Sequence, residues 1–101
     1  MAKGYWIARV DVADVEVYKS YVAANGIALA KYGARFLVRA GRYQIVEGVS
    51  RSRNVVIEFP SYQAALDCWH SSEYQAAVAL RRPVATVDCV VVEGYDGAQP
   101  A

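Results

Sequence analysis

Arg53–Gln75 reads RNVVIEFPSYQAALDCWHSSEYQ. Val55, Ile57 and Phe59 alternate with Asn54, Val56 and Glu58, the period of two that a strand with unlike faces requires. Pro60 has no amide hydrogen to continue a ladder, and Ser61 has the hydroxyl that caps a helix N-terminus. Beyond it Tyr62, Ala65, Leu66 and Trp69 recur at helical spacing and form one apolar stripe. The stretch therefore predicts a strand, a tight turn and a helix that folds back on it, and it carries the chain's only histidine, His70.

Upstream, Tyr5–Val12 (YWIARVDV) sets Trp6, Ala8, Val10 and Val12 against Tyr5, Ile7, Arg9 and Asp11, which predicts another strand with one wholly apolar face. Asp14 is placed to cap a helix whose apolar positions run from Tyr18 to Tyr32 and stop at Gly33. Asn25-Gly26 interrupts that stripe and suggests a kink. Ala34–Ala40 is expected as a second strand, with Phe36 and Val38 on one side and Arg35, Leu37 and Arg39 on the other. Tyr43–Glu47 could return as a hairpin arm before Gly48, with Val49–Arg53 as loop. Downstream, Ser72 and Gln75 have the spacing of a capping box for a second helical piece, which Pro83 closes. A final strand is expected at Val87–Glu93, followed by a loose tail over 95–101.

The order strand, helix, strand, strand, helix, strand predicts one α+β domain over residues 1–101 of ferredoxin-like βαββαβ form. It has a four-stranded antiparallel sheet, the first and third strands at its centre and the helices on one face. Two helices cover only one face. The other combines Tyr5, Ile7, Leu37, Val56, Val90 and Val92 with Arg9, Arg35, Arg39 and Glu58, too apolar a surface to leave in water. A homodimer with the two sheets face to face is the expected remedy.

Composition narrows the function classes. The 101 residues are 55% hydrophobic and 21% charged, which excludes a disordered chain. No apolar run approaches the roughly 20 residues of a membrane helix, and the N-terminus leads straight into a strand, so a cytoplasmic protein without membrane association is expected. Net charge is +1, but residues 31–53 hold six basic groups against Glu47, and residues 58–96 hold six acids against Arg81 and Arg82. Such complementarity favours internal or subunit pairing over nucleic-acid binding. Cys68 and Cys89 are isolated and read as small buried hydrophobes.

Several motifs in order, YWIARVDV, RFLVRAG, Glu47-Gly48, RNVVIEFPS, ALDCWHSSEYQ and a downstream arginine, resemble the small bacterial proteins catalogued as domain of unknown function number 1330. The resemblance spans about residues 4–94. It implies the dimeric α+β barrel superfamily, whose members include cofactor-free oxygenases, heme-degrading enzymes and simple binding proteins, and it names no reaction. The chain departs from the family in having Ala34 and Ala40 where glycines are usual and His70 where an aromatic residue is usual.

For chemistry, His70 is the one candidate general base or catalytic residue, set against the reading that a cation at a helix C-terminus is simply favourable. A single histidine without a nearby Cys, Asp or Glu makes a poor metal or heme ligand set, so neither metal nor cofactor is expected. Arg9, Arg39 and Glu58 are expected on one sheet face, either holding a carboxylate or enolate ligand or pairing at the dimer contact. A pocket between the helices and the apolar sheet face would be walled by Trp6, Phe59, Trp69 and His70. Two functions are open. One is a binder of a small aromatic or carbonyl compound, in the extreme a cofactor-independent oxygenase or isomerase. The other is a non-catalytic structural or interaction module whose main property is dimerisation.

Overall fold

The computed structural model describes residues 2–101. Its elements are β1 (Gly4–Val12), α1 (Val15–Lys31), β2 (Arg35–Arg39), β3 (Arg53–Phe59), α2 (Tyr62–His70), α3 (Ser72–Arg81) and β4 (Ala85–Glu93). The strands form one antiparallel sheet in the order β2-β3-β1-β4, the ferredoxin-like arrangement with β1 and β3 inside and all three helices on one face.

The helix ends follow from local chemistry. Asp14 accepts from the Val17 amide at 3.1 Å and starts α1, and Ser61 accepts from the Ala64 amide at 3.0 Å and starts α2. Gly33 follows the last turn of α1 with φ +70, a conformation that a side chain would strain. Gly4 is needed for a different reason, because a Cβ there would run into the Ser61 carbonyl where β1 passes under α2.

Two local expectations are corrected. Ser71, not Ser72, caps α3, accepting from the Tyr74 amide at 3.1 Å, while Gln75 Nε2 donates to the Trp69 carbonyl at 2.7 Å. Ser71 serves two helices, since its hydroxyl also donates to the Cys68 carbonyl at 2.7 Å and closes α2. α1 continues as helix through Asn25-Gly26. Tyr43–Glu47 forms no strand: residues 40–52 are an irregular connection, pinned where Arg51 reaches Asp11 at 2.9 Å and Asp88 at 2.7 Å. Both acids are thereby paired.

The core lies between sheet and helices, built on Trp6, Val10, Leu29, Ile57, Phe59 and Val78. Cys68 is fully buried, and burial pushes its thiol up to about 12, as expected of an inert core residue. On the far side of the sheet Ile7, Val38, Val90 and Val92 are exposed.

Candidate functional site

Strand alternation turns Trp6 and Val10 of β1, Arg53 and Ile57 of β3, and Val87 and Cys89 of β4 toward the helices. Facing them are Tyr18, Tyr21 and Asn25 from α1, Trp69 from α2, and Tyr74 and Arg81 from α3. Between these groups is a cavity of about 80 Å³. Exposed Arg39 and Ala40 are also among its lining residues and form its rim.

Six of the lining residues are aromatic. Trp6 is the hub, with ring centroids 4.9 Å from Phe59, 5.4 Å from Trp69 and 4.7 Å from Tyr74. Its indole N–H donates to the Ala65 carbonyl at 2.9 Å, which fixes the ring. The Tyr21 and Tyr74 hydroxyls are 2.7 Å apart and share one hydrogen bond. Burial raises the pKa of both Tyr18 and Tyr74, so these phenols stay protonated at neutral pH.

The cations of this wall have no acid among its residues. Arg39, Arg53 and Arg81 all line the cavity, and neither Asp nor Glu does. Among the described residues none of the three forms an ion pair. Arg53 lies 5.4 Å from the Tyr18 ring centroid and Arg81 lies 5.4 Å from that of Tyr21. Arg81 is only 7% exposed, and its Nε has no hydrogen-bond partner.

Arg39 reaches this site because β2 carries an irregularity. Strict alternation places it with Arg35, away from the helices. The register shifts between Phe36 and Val38, so that Phe36 pairs with Ile57 but Val38 pairs with Val56 and Arg39 with Val55. Val38 is thereby turned to the open face, and Arg39 comes to the cavity side with its guanidinium 4.1 Å from the Phe36 ring centroid. Ala40 follows with φ 54, a left-handed conformation that favours glycine.

The expected cluster of Arg9, Arg39 and Glu58 is therefore divided between two faces. Glu58 is on the open face, where the Tyr5 hydroxyl donates to it at 3.2 Å and Arg35 Nε lies at 3.9 Å. Arg9 is exposed on that same face, beside the irregular connection. Of the four expected pocket walls, Trp6 and Trp69 line the cavity. Phe59 is 1% exposed and packs behind Trp6 without lining it. His70, the last residue of α2, is exposed and outside the lining, because one step along the helix from Trp69 rotates a side chain to the solvent side. Among the described residues no cluster of three or more His, Cys, Asp or Glu is positioned to hold a metal.

Arg53 and Arg81 were not singled out by sequence reasoning, yet the signal was there. Arg53 continues the alternation of Val55 and Ile57, and Arg81 continues the helical spacing Tyr74, Ala77, Val78.

The fold is shared with several solved proteins. A protein of unknown function from Rhodopseudomonas palustris aligns with a TM-score of 0.75 at 14% identity, covering 98% of this chain and 85% of that one. SnoaB, a cofactor-independent oxygenase from Streptomyces nogalater, aligns with a TM-score of 0.63 at 11% identity over 99% and 97%. A dimeric protein of unknown function with a ferredoxin-like fold from Bacteroides fragilis aligns with a TM-score of 0.59 at 16% identity over 90% and 95%. No curated protein matches by sequence. The model of the family described as Domain of unknown function (DUF1330) matches residues 3–95, and the chain belongs to that family.

Proposed function

We propose that the protein binds a small aromatic or carbonyl compound in the cavity between helices and sheet, on a homodimeric scaffold whose sheets meet face to face. The observation that carries the reading is an inner wall combining both tryptophans and three tyrosines with unpaired guanidiniums. Aromatic faces suit a planar ligand, and a guanidinium holds a carbonyl or enolate oxygen. Trp6 and Trp69 wall the inner end of the cavity, Phe59 holds Trp6 in position, and Arg39 is the polar contact at the rim, where the ring of an aromatic ligand would lie. Arg9 and Glu58 belong to the dimer contact on the other face.

SnoaB supports cofactor-independent oxygenation as a chemistry for this fold, with isomerisation as its companion. Here the lining offers cations that stabilise a developing oxyanion but no imidazole or carboxylate to take a proton. A substrate turned over in this cavity would have to ionise readily by itself. His70 is outside the lining, so His70→Ala should leave ligand binding unchanged.

The non-catalytic module is supported by a different observation. The cavity, at about 80 Å³, is small beside the roughly 300–1,000 Å³ of sites for drug-sized ligands, while the open face exposes Ile7, Val38, Val90 and Val92. A thermal-shift screen of small aromatic acids and ketones separates the two. Stabilisation by any of them that is weakened in Trp69→Ala supports the binder, and a flat response leaves the dimerisation module. A monomeric mass in solution at micromolar concentration would contradict the shared dimer.

A further inference from the structure

We infer that the cavity takes an organic monoanion, a small carboxylate or enolate whose charged head sits against Arg81 and the Tyr21–Tyr74 hydroxyl pair. The inference rests on the reading of the cavity as a ligand site and assigns its ligand class.

Arg81 is the residue that requires it. A guanidinium has five N–H donors and no acceptor, and taking it out of water is costly unless an anion or an acceptor oxygen answers it. Arg81 is buried, forms no ion pair, and leaves its Nε without a partner. Its neighbours remedy this only in part. Tyr21 offers it a ring face, and the phenol oxygens of Tyr74 and Tyr21 lie against the guanidinium, but they are also bonded to one another and carry no charge, and Nε is left unanswered. In such a pair one hydroxyl donates and the other accepts, so the accepting hydroxyl keeps its own hydrogen for a further acceptor. The polar groups that converge here are thus mainly donors in search of an acceptor with several lone pairs and a negative charge. A carboxylate or enolate oxygen meets that description, whereas a neutral amide or ketone meets half of it.

The surroundings strengthen the case. Arg39 and Arg53 add two more unpaired cations on the same wall. Three like charges around an aromatic enclosure repel one another, and a bound anion turns that repulsion into attraction. Size sets the limit. A volume of about 80 Å³ is below the ~150 Å³ void that admits benzene, so the head group and a short chain fit inside. A ring would project past Arg39 at the rim.

The test uses matched probes on the intact protein: propionate against propionamide and benzoate against benzamide. Binding is followed by the fluorescence of Trp6 and Trp69, the chain's only tryptophans, both in the cavity wall. The expected result is that each acid binds about tenfold or more tightly than its amide. Arg81→Met should abolish that preference, and Arg35→Met on the open face should keep it. Equal affinities for acid and amide would overturn the anion assignment while leaving a neutral-ligand cavity standing, and no binding of any probe would overturn both. Arg39→Gln gives an independent check at the rim that does not alter the core, and an unchanged acid preference in both Arg81→Met and Arg39→Gln would also overturn the assignment.

Discussion

The two faces of this sheet handle charge in opposite ways. On the open face and at its border, most cations are answered by acids: Arg35 faces Glu58, and Arg51 bridges Asp11 and Asp88. On the helix-covered face, where a charge is more costly, Arg39, Arg53 and Arg81 line the cavity with no acid beside them. Stability alone would favour the reverse distribution, because exposed pairs contribute little and buried unpaired charges cost a great deal. On the function proposed above, the open face is covered by a second copy of the sheet and the inner face receives an anion.

Neighbouring residues Trp6 and Ile7 offer the sharpest way to break the comparison, since alternation sends them to opposite faces. Trp6 is 3% exposed and bonded to Ala65, so Trp6→Ala should cost about 3–5 kcal/mol in a denaturant titration. A loss near zero would mean that the inner face is not the core. Ile7 is 38% exposed, and Ile7→Glu should leave circular dichroism and the fold unchanged. If the open face is the dimer contact, the same variant should raise the dimer dissociation constant about a hundredfold by leaving an unpaired charge in an apolar contact. Sedimentation showing an unaltered dimer would move the contact elsewhere.

A smaller effect is expected at the bulged strand that turns Arg39 inward. Ala40 has φ 54, and Ala40→Gly should relieve about 1 kcal/mol of backbone strain, seen as a higher melting temperature. The smallest concerns a pair remote from the cavity. Lys31 donates to Glu73 at 2.6 Å, and this contact, with the Ser72 hydroxyl and the backbone, lowers the Glu73 carboxyl from 4.5 to about 2. A depressed folded-state pKa contributes stability above the ordinary value and loses it as pH falls toward the folded one. Glu73→Gln should thus be slightly less stable than wild type at pH 7, with the gap closing between pH 4.5 and about 2. A gap that widens on acidification would contradict the pairing.

The architecture was legible because it rests on periodicity. Alternation at Tyr5–Val12 and Arg53–Phe59, with the caps Asp14 and Ser61, sufficed for element order, sheet order and the choice of buried face. Features that depend on one residue more or less were harder to read. Nothing in Phe36-Leu37-Val38 announces a bulge, so Arg39 was assigned to the wrong face. Adjacent serines at 71 and 72 compete for one cap, and only the packed geometry selects between them. His70 attracted attention as the sole imidazole, although a single helical step carries it out of the cavity that Trp69 lines. Arg81 shows the converse. Its spacing marked a core stripe, but an arginine late in a helix reads as a solvated cap, and its burial arises only in the packed fold, where α1, Trp69 of α2 and Val87 and Cys89 of β4 surround it.

The most direct measurement is the melting temperature of wild type and Arg81→Met across a benzoate titration. A buried guanidinium without an acid beside it destabilises the ligand-free protein, so Arg81→Met should begin higher, by about 1–2 kcal/mol of stability, and climb much less. Wild type should begin lower and climb with benzoate until the two curves meet or cross. Parallel curves, or a variant that melts lower than wild type without ligand, would contradict the account.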